Sequence, residues 1–333
     1  MNRRRALLSI AVILVVVALI AVTISKFRGP RDSSLREVKI AYVPFSANLP
    51  FFIALEKGYF DQQHLRILPV KTADTSEMLN ALLAGDVQAV APVGFAAVFG
   101  VEQRSPGSVK AYLPGGETTG HVVSNILIPR DSIIKSPEEL RGKKIGTYTG
   151  ASQFMNLKLI LSGLGIDPDK DCTIVQVAPN LQVQALQVGQ FDALFTVEPF
   201  STAALAKGFA KSLVDNPRSR FIVDPFVSGA CVFTTRLLET DFDLAQRIYR
   251  AMNAGVSFIQ SYPKEAKAIL AKYIDTSPDV LQVTDLYAWF RVDEKTLSAT
   301  QALVDVSVKY GLLKQRVDAK GLFSEEARLA GSH

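Results

Sequence analysis

The sequence repeats one pattern of strands and helices, and this repeat determines which architectures the chain can adopt. Each copy runs strand, helix, strand, helix, strand. The first copy predicts strands over residues 38–43, 65–70 and 89–93 and helices over 49–62 and 76–83. The second predicts strands over 144–148, 173–177 and 193–197 and helices over 152–164 and 181–188. Identical residues recur 104 positions apart: Ala81-Leu82, Gly85, Ala89 and Val93 return as Ala185-Leu186, Gly189, Ala193 and Val197.

Alternation of strands and helices predicts parallel sheets joined by right-handed crossovers. Gly85 and Gly189 follow the second helix of each copy, where a glycine in the left-handed conformation ends a helix without strain. We therefore expect an α/β protein with two similar lobes, each a mostly parallel sheet flanked by helices. Ligands of such sheets bind beyond the carboxyl ends of the strands, so two facing lobes predict a hinge and an interlobe cleft.

The segments outside the two copies predict where the lobes begin and end. Residues 109–112 predict a strand and 113–116 a bend, and a return crossing is expected near 229–233. Lobe one then comprises residues 36–118 and 230–325, and lobe two comprises 119–229. Helices are expected in the C-terminal part, beginning at Asp241 or Asp243, at Ser277-Pro278 and at Asp293.

Residues 1–31 are interpreted as a signal peptide or a signal anchor. Arg3-Arg4-Arg5 precedes an uncharged run from Ala6 to Ser25, and a helix of about 20 residues spans the roughly 30 Å hydrocarbon core of a bilayer. No clear Ala-x-Ala cleavage site follows, which favours an uncleaved anchor over a cleaved peptide. Both interpretations place the chain from about residue 35 outside the cytoplasm.

The net charge of +5 comes from this N-terminal segment. Six of the 37 basic residues lie in residues 1–31 without any acidic residue, which leaves 31 basic residues against all 32 acidic ones. The basic charge therefore indicates membrane targeting and argues against a nucleic-acid partner.

Sequence patterns of catalytic and metal sites are missing. The three histidines are scattered, and His64 is interpreted as a turn residue with positive φ. Cys172 and Cys231 suit two buried apolar positions better than a disulfide or a zinc site. No phosphate loop and no Gly-x-Ser-x-Gly elbow occurs. We therefore expect no metal, no cofactor and no enzymatic activity.

Four motifs occur in a characteristic order: Glu56-Lys57-Gly58-Tyr59-Phe60, Ala81-Leu82-x-x-Gly85, Ser136-Pro137-x-x-Leu140-x-Gly142-Lys143-Lys144-Ile145-Gly146 and Glu198-Pro199. From residue 38 to 232 the sequence resembles the periplasmic solute-binding proteins of ABC transporters of the nitrate/sulfonate/taurine type. Thiamine-precursor and riboflavin binders share their superfamily, with the type II periplasmic binding protein fold. The resemblance implies that the C-terminal helices pack on lobe one. In the third motif we expect Ser136 to cap a short helix and Glu139 to complete a capping box.

The resemblance implies an extracytoplasmic solute-binding subunit of an ABC importer, a monomer working with permease and ATPase subunits at the outer face of the cytoplasmic membrane. Lobe closure would capture a small organic molecule or anion. The sequence does not choose among sulfonate-, taurine- and nitrate-like ligands and a neutral aromatic such as a pyrimidine. The alternatives are a membrane-tethered ligand sensor and an enzyme like the pyrimidine-precursor synthases of the same fold, which the scarcity of cysteine and histidine and the export signal oppose.

The predicted ligand contacts lie in loops at the carboxyl ends of strands and near the hinge. They are Phe45, Ser46, Asn48, Gly94, Phe95, Glu117, Thr149, Ser152, Glu198 and Ser228. The serines and the asparagine are equally good helix caps, and the phenylalanines are equally good core residues. Two loops lead into helix N-termini, whose free N–H groups favour anions. No Arg or Lys occurs in these loops, which disfavours phosphate and other strongly charged anions.

Overall fold

A computed structural model describes residues 35–324, and eleven strands in that range form two sheets. In chain order the strands are β1 (Arg36–Tyr42), β2 (Leu65–Lys71), β3 (Ala89–Gly94), β4 (Val109–Glu117), β5 (Ser124–Pro129), β6 (Lys144–Tyr148), β7 (Thr173–Val177), β8 (Ala193–Val197), β9 (Ala210–Asp215), β10 (Phe226–Thr234) and β11 (Ala288–Trp289). The first sheet has the order β11-β4-β10-β3-β1-β2, and the second has the order β7-β6-β8-β5-β9.

Helices flank both sheets. They are α1 (Leu49–Glu56), α2 (Thr75–Ala84), α3 (Phe95–Arg104), α4 (Ala151–Gly163), α5 (Gln182–Gln187), α6 (Phe200–Ala206), α7 (Pro217–Phe221), α8 (Thr235–Thr240), α9 (Phe242–Ser261), α10 (Pro263–Leu270), α11 (Pro278–Val283), α12 (Glu294–Lys309) and α13 (Ala319–Leu322). Short 3-10 helices cover Ser46–Asn48, Asp61–Gln63 and Pro137–Leu140.

The internal repeat is visible in the strand register. Ile40 pairs with Ala89 between parallel β1 and β3, and Ile145 pairs with Ala193 between parallel β6 and β8. Gly85 and Gly189 both have positive φ, 84° and 70°, as their helix-ending positions predict. The predicted α/β fold with two helix-flanked sheets is confirmed.

Antiparallel strands complete each sheet beside the parallel strands of the repeat. β10 lies antiparallel between β3 and β4, and β5 lies antiparallel between β8 and β9. These added strands are the ones that connect the two sheets. β4 leads to β5 through residues 118–123, and β9 leads to β10 through residues 216–225. We propose that these two connections separate the lobes, close to the boundaries that the sequence predicts.

The expected bend at residues 113–116 takes the form of an irregularity within β4: Leu113 has a φ of 49° and the pairing with β10 shifts register between Tyr112 and Gly115, while the strand continues to Glu117. A Cβ at Gly116 would lie 1.9 Å from the Phe226 carbonyl oxygen, and one at Gly115 would lie 2.9 Å from the Trp289 ring. The two glycines therefore allow close packing against β10 and β11 rather than a turn.

Two local predictions also need correction. The first helix ends at Glu56 rather than at residue 62, because Gly58 takes a φ of 68°. His64 then has a φ of 53°, which confirms it as a turn residue. Ser136 makes no side-chain cap, and Glu139 accepts a hydrogen bond from the Lys135 backbone N–H instead, so the capping box is not formed.

Helices α9 and α12 share the core of the first sheet, as expected, whereas α11 also contacts α6. Asp241, Ser277 and Asp293 cap α9, α11 and α12 through their side chains. The buried face of α9 belongs to the same hydrophobic core as β1, β3 and β10. Burial of one such large aliphatic side chain contributes about 1.5–3 kcal/mol. The helices therefore form a structural part of this half of the molecule.

Two further expectations concern the N-terminal segment and the state of the two cysteines. The signal or anchor segment at residues 1–31 lies outside the described residues. Across residues 35–324, none of the helices has the length and apolarity required to cross a bilayer. Cys172 and Cys231 are free thiols; Cys231 is buried and Cys172 is half-buried.

Candidate functional site

A cavity of about 140 Å³ lies between the loops of the two sheets. Its walls include residues that follow β1, end β3 and follow β6, which are the carboxyl ends of strands in both copies of the repeat. Seven predicted contacts line it: Phe45, Ser46, Asn48, Gly94, Thr149, Ser152 and Ser228. The structure thus brings together side chains from loops that are far apart in sequence.

The other three predicted residues lie outside the cavity wall. Phe95 is fully buried and stacks on Phe99 with ring centroids 5.5 Å apart, so it belongs to the core. Glu117 and Glu198 are also buried, and each is held by hydrogen bonds within the protein.

Asn48 connects the loop after β1 to β3. Its side-chain oxygen accepts from the Val43 N–H at 3.2 Å, and its side-chain amide donates to the Pro92 carbonyl at 3.0 Å. Asn48 is only 1% exposed. Its amide group is therefore used to fix the shape of the loop after β1.

The loop after β1 also reaches across to the second sheet. The Ser46 hydroxyl donates to the Glu198 backbone carbonyl at 2.9 Å. The Phe45 ring lies 5.6 Å from that of Tyr148 and 6.3 Å from that of Phe200. We call Phe45 and Ser46, with these three contacts, the cross-sheet latch. It holds the two sides of the cavity together.

The N-terminus of α4 offers hydrogen-bond donors to the cavity. Gly150 occupies the cap position, so no side chain caps the helix. The Ser152 hydroxyl and the Gln153 side-chain amide nitrogen are buried and have no hydrogen-bond partner in the protein. Both residues line the cavity, and Gln153 is 3% exposed. Buried polar groups in folded proteins are almost always paired, so these donors are suited to a ligand.

A buried ion pair stands beside the cavity. Arg218 in α7 donates to the Glu117 carboxylate at 2.8 Å, and the same carboxylate accepts from the Ser219 N–H at 3.1 Å. Burial, the largest single influence, lowers the pKa of the Arg218 guanidinium, but the charge and hydrogen bond of Glu117 together with the nearby Tyr287 and Tyr148 raise the pKa overall. Arg218 Nε has no partner, and the residue lines the cavity.

Sequence reasoning missed Arg218, because it lies in the connection from β9 to β10 and not in a loop of the repeat. Asn216-Pro217, a helix start, was the available local signal. Tyr287 and Trp289 also line the cavity and were missed. They belong to a C-terminal segment whose position depends on β11 pairing with β4.

Glu198 precedes a cis peptide bond to Pro199. Its carboxylate accepts from the Thr202 N–H at 3.3 Å. Burial raises the pKa of Glu198, against hydrogen bonds that lower it. The carboxyl therefore supports the loop after β8, next to the latch.

Neither cysteine lines the cavity. Burial raises the thiol pKa of both Cys172 and Cys231. In residues 35–324, no group of three or more His, Cys, Asp or Glu residues is arranged to hold a metal ion. The expectation of no metal and no cofactor stays a prediction.

The sequence profile of the NMT1-like family matches residues 31–277. The chain belongs to this family. A protein of Brucella abortus (strain 2308) that is named a binding protein is 23% identical over 281 residues, covering 81% of this chain and 84% of that protein. This NMT1-like chain also matches a yeast enzyme, the 4-amino-5-hydroxymethyl-2-methylpyrimidine phosphate synthase THI13 of Saccharomyces cerevisiae, at 22% identity over 71% of this chain and 69% of the enzyme.

Solved structures share the fold of this NMT1-like protein. The periplasmic aliphatic sulphonate binding protein SsuA of Escherichia coli superposes with a TM-score of 0.71 at 18% identity, covering 87% of this chain and 92% of that one. The ligand-binding component of an ABC-type import system from Staphylococcus aureus gives a TM-score of 0.71 at 17% identity, covering 89% and 99%. The resemblance to periplasmic binding proteins is confirmed.

Proposed function

We propose that this protein is the extracytoplasmic solute-binding subunit of an ABC importer, which captures a small molecule by closing two lobes around it. The observation that carries the proposal is the cavity, since loops of both sheets line it and it contains unpartnered donors. Clefts of this kind at the carboxyl ends of parallel strands are the usual ligand sites of such sheets.

Closure follows from the contacts between the sheets. A ligand that touches both sides of the cavity adds binding energy only when the sides approach each other, so it shifts the population towards the closed form. The Ser46–Glu198 hydrogen bond and the Phe45 ring contacts join the two sides, and we expect separation of the lobes to break them. Permease and ATPase subunits would then recognise the closed form, and a monomer is sufficient for this role.

The names of relatives support binding rather than catalysis, and two are described as periplasmic or as part of an ABC-type import system. The match to the yeast enzyme supports a synthase as the second candidate function. A membrane-tethered sensor would use the same cavity. A gene for a permease and one for an ATPase beside this gene would favour the importer over the sensor.

The first test is a thermal-shift screen of the full chain against sulfonates, nitrate, taurine, pyrimidines and other small rings. A ligand at 100 times its Kd adds about 2.7 kcal/mol to the free energy of unfolding, which raises the melting temperature clearly. Gln153→Ala should abolish the shift. Gln184→Ala, an exposed helical glutamine away from the cavity, should retain it. Absence of any shift from folded protein would reject the proposal.

A further inference from the structure

The charge of the Arg218 guanidinium is cancelled inside the protein. Its Nη2 lies 2.8 Å from the Glu117 carboxylate, and the two side chains are 3% and 0% exposed. The other charged residue on the cavity wall, Asp74, accepts hydrogen bonds from the Ser76 and Glu77 N–H groups at the start of α2. The Glu198 carboxyl is buried, accepts from the Thr202 N–H and belongs to a residue outside the cavity wall. The wall therefore carries no excess positive charge.

The unpartnered groups around the cavity are nevertheless donors. Arg218 Nε, Gln153 Nε2 and the Ser152 hydroxyl all lack partners. The first two residues are 2% and 3% exposed, so water reaches them poorly. Such donors discriminate strongly against a ligand that lacks acceptors, because binding it would leave them unpaired.

Aromatic side chains make up much of the remaining wall. Phe45, Tyr148, Tyr287 and Trp289 line the cavity, and the polar atoms lie between them. The volume of about 140 Å³ is close to that of a cavity of roughly 150 Å³ that binds benzene. The space thus suits a body of about one six-membered ring.

We infer that the Glu117–Arg218 pair sets the charge of the ligand: Arg218 donates its Nε–H to a ligand acceptor while Glu117 cancels its charge, so the cavity selects an uncharged, flat, acceptor-bearing ring over a sulfonate or nitrate. This inference rests on the proposed function. Arg218 is then a specificity-determining residue, and Glu117 acts through it. An anion would lose its hydration on entering the cavity without meeting an uncompensated cation.

The test compares ligands of matched shape and different charge. Nicotinamide and nicotinate share one ring and differ in a carboxamide or a carboxylate; 2-pyridone, uracil, nitrate and methanesulfonate extend the two classes, and benzene lacks acceptors. Titration calorimetry with the full chain should show at least one uncharged acceptor-bearing ring binding at least tenfold more tightly than every anion, and benzene not binding. Tighter binding of an anion would overturn this inference and leave solute binding intact. Binding of no compound would overturn both.

Two variants test the role of the pair. Glu117→Gln keeps an acceptor for Ser219 but removes the negative charge, so binding of nicotinate relative to nicotinamide should improve at least tenfold. The double variant Glu117→Gln/Arg218→Gln removes both charges and keeps the wall neutral. It should bind the uncharged ring more weakly and gain no affinity for the anion. If the double variant binds nicotinamide and nicotinate with the same affinities as the natural protein, Arg218 does not contact the ligand.

Discussion

The two buried acidic residues differ in how the protein stabilises them. Glu117 is paired with a guanidinium, whereas Glu198 relies on neutral hydrogen-bond donors and is 3% exposed. Burial without a cationic partner disfavours the charged form, and this raises the pKa of Glu198 above its ordinary value of 4.5. The two residues therefore predict different responses to substitution.

Glu198→Gln should gain stability relative to the natural protein as the pH rises from 4 to 7. Below pH 4.5 the carboxyl is protonated both folded and unfolded. Above it the unfolded chain releases its proton first, so the natural protein loses stability until the pH passes the raised folded pKa. Glutamine has no proton to lose and keeps an oxygen for the Thr202 N–H. Urea unfolding at several pH values measures the difference, and parallel curves would contradict it.

Glu56→Gln is the control of opposite sign. A hydrogen bond from Lys272 lowers the pKa of Glu56. Its contribution to stability is therefore present above pH 4.5 and is lost as the pH falls through the lowered folded pKa. The variant should be at a disadvantage at neutral pH and recover in acid.

Removing one partner of the buried ion pair should lower the free energy of unfolding more than removing both partners. Glu117→Gln leaves a buried guanidinium without a counter-charge, and loss of one partner typically lowers the free energy of unfolding by about 3–5 kcal/mol. Replacing both residues, as Glu117→Gln/Arg218→Met, removes the uncompensated charge, so the double variant should be more stable than the single one. Chemical denaturation of both variants decides this, and a double variant no more stable than Glu117→Gln would be the contrary result.

At the scale of elements, glycine has two uses in this chain. Gly85 and Gly189 end helices with positive φ and have no atom within 4 Å of a built Cβ, whereas Gly116 allows two strands to approach. The first use follows from local sequence and was predicted. The second depends on which strand lies beside β4, and local sequence does not reveal that neighbour.

Gly116→Ala should lower the free energy of unfolding by more than about 2 kcal/mol, because its Cβ would overlap the Phe226 carbonyl and the strands must shift. Gly100→Ala in α3 is the matched control. Its Cβ would lie 3.5 Å from the nearest atom, an Arg104 guanidinium nitrogen, so alanine should stabilise the helix by about 0.5–1 kcal/mol. Equal effects of the two substitutions on thermal unfolding would refute this account of β4.

For the whole molecule, the sequence predicted the parts that the repeat encodes. Periodicity locates β6, β7 and β8 to the residue, and the loops that follow strands locate seven residues of the cavity wall. Arg218 in the β9–β10 connection and Trp289 in β11 were not predicted, because they reach the cavity only after long-range strand pairing. Phe95 could not be placed from sequence either. It follows the wall residue Gly94, but as the first residue of α3 its side chain faces the core.

Gly94→Ala should disfavour the closed form. A Cβ there would lie 2.3 Å from the Ser152 hydroxyl oxygen and 2.7 Å from its Cβ, so the side chains of the two sheets would collide. Small-angle scattering should show a larger radius of gyration than for the natural protein. Adding Ser152→Gly removes the obstacle and should restore compactness. A compact single variant, or an expanded double variant, would argue against this contact as a determinant of closure.

Trp289 lines the cavity and is the chain's single tryptophan. Its indole lies against Gly115 of β4, which also lines the cavity. All tryptophan fluorescence of the protein therefore originates at the wall of the proposed site. Ligand binding and lobe closure can therefore be followed in real time and without a label through the intrinsic fluorescence of Trp289. The Trp289→Phe variant provides the spectroscopic blank.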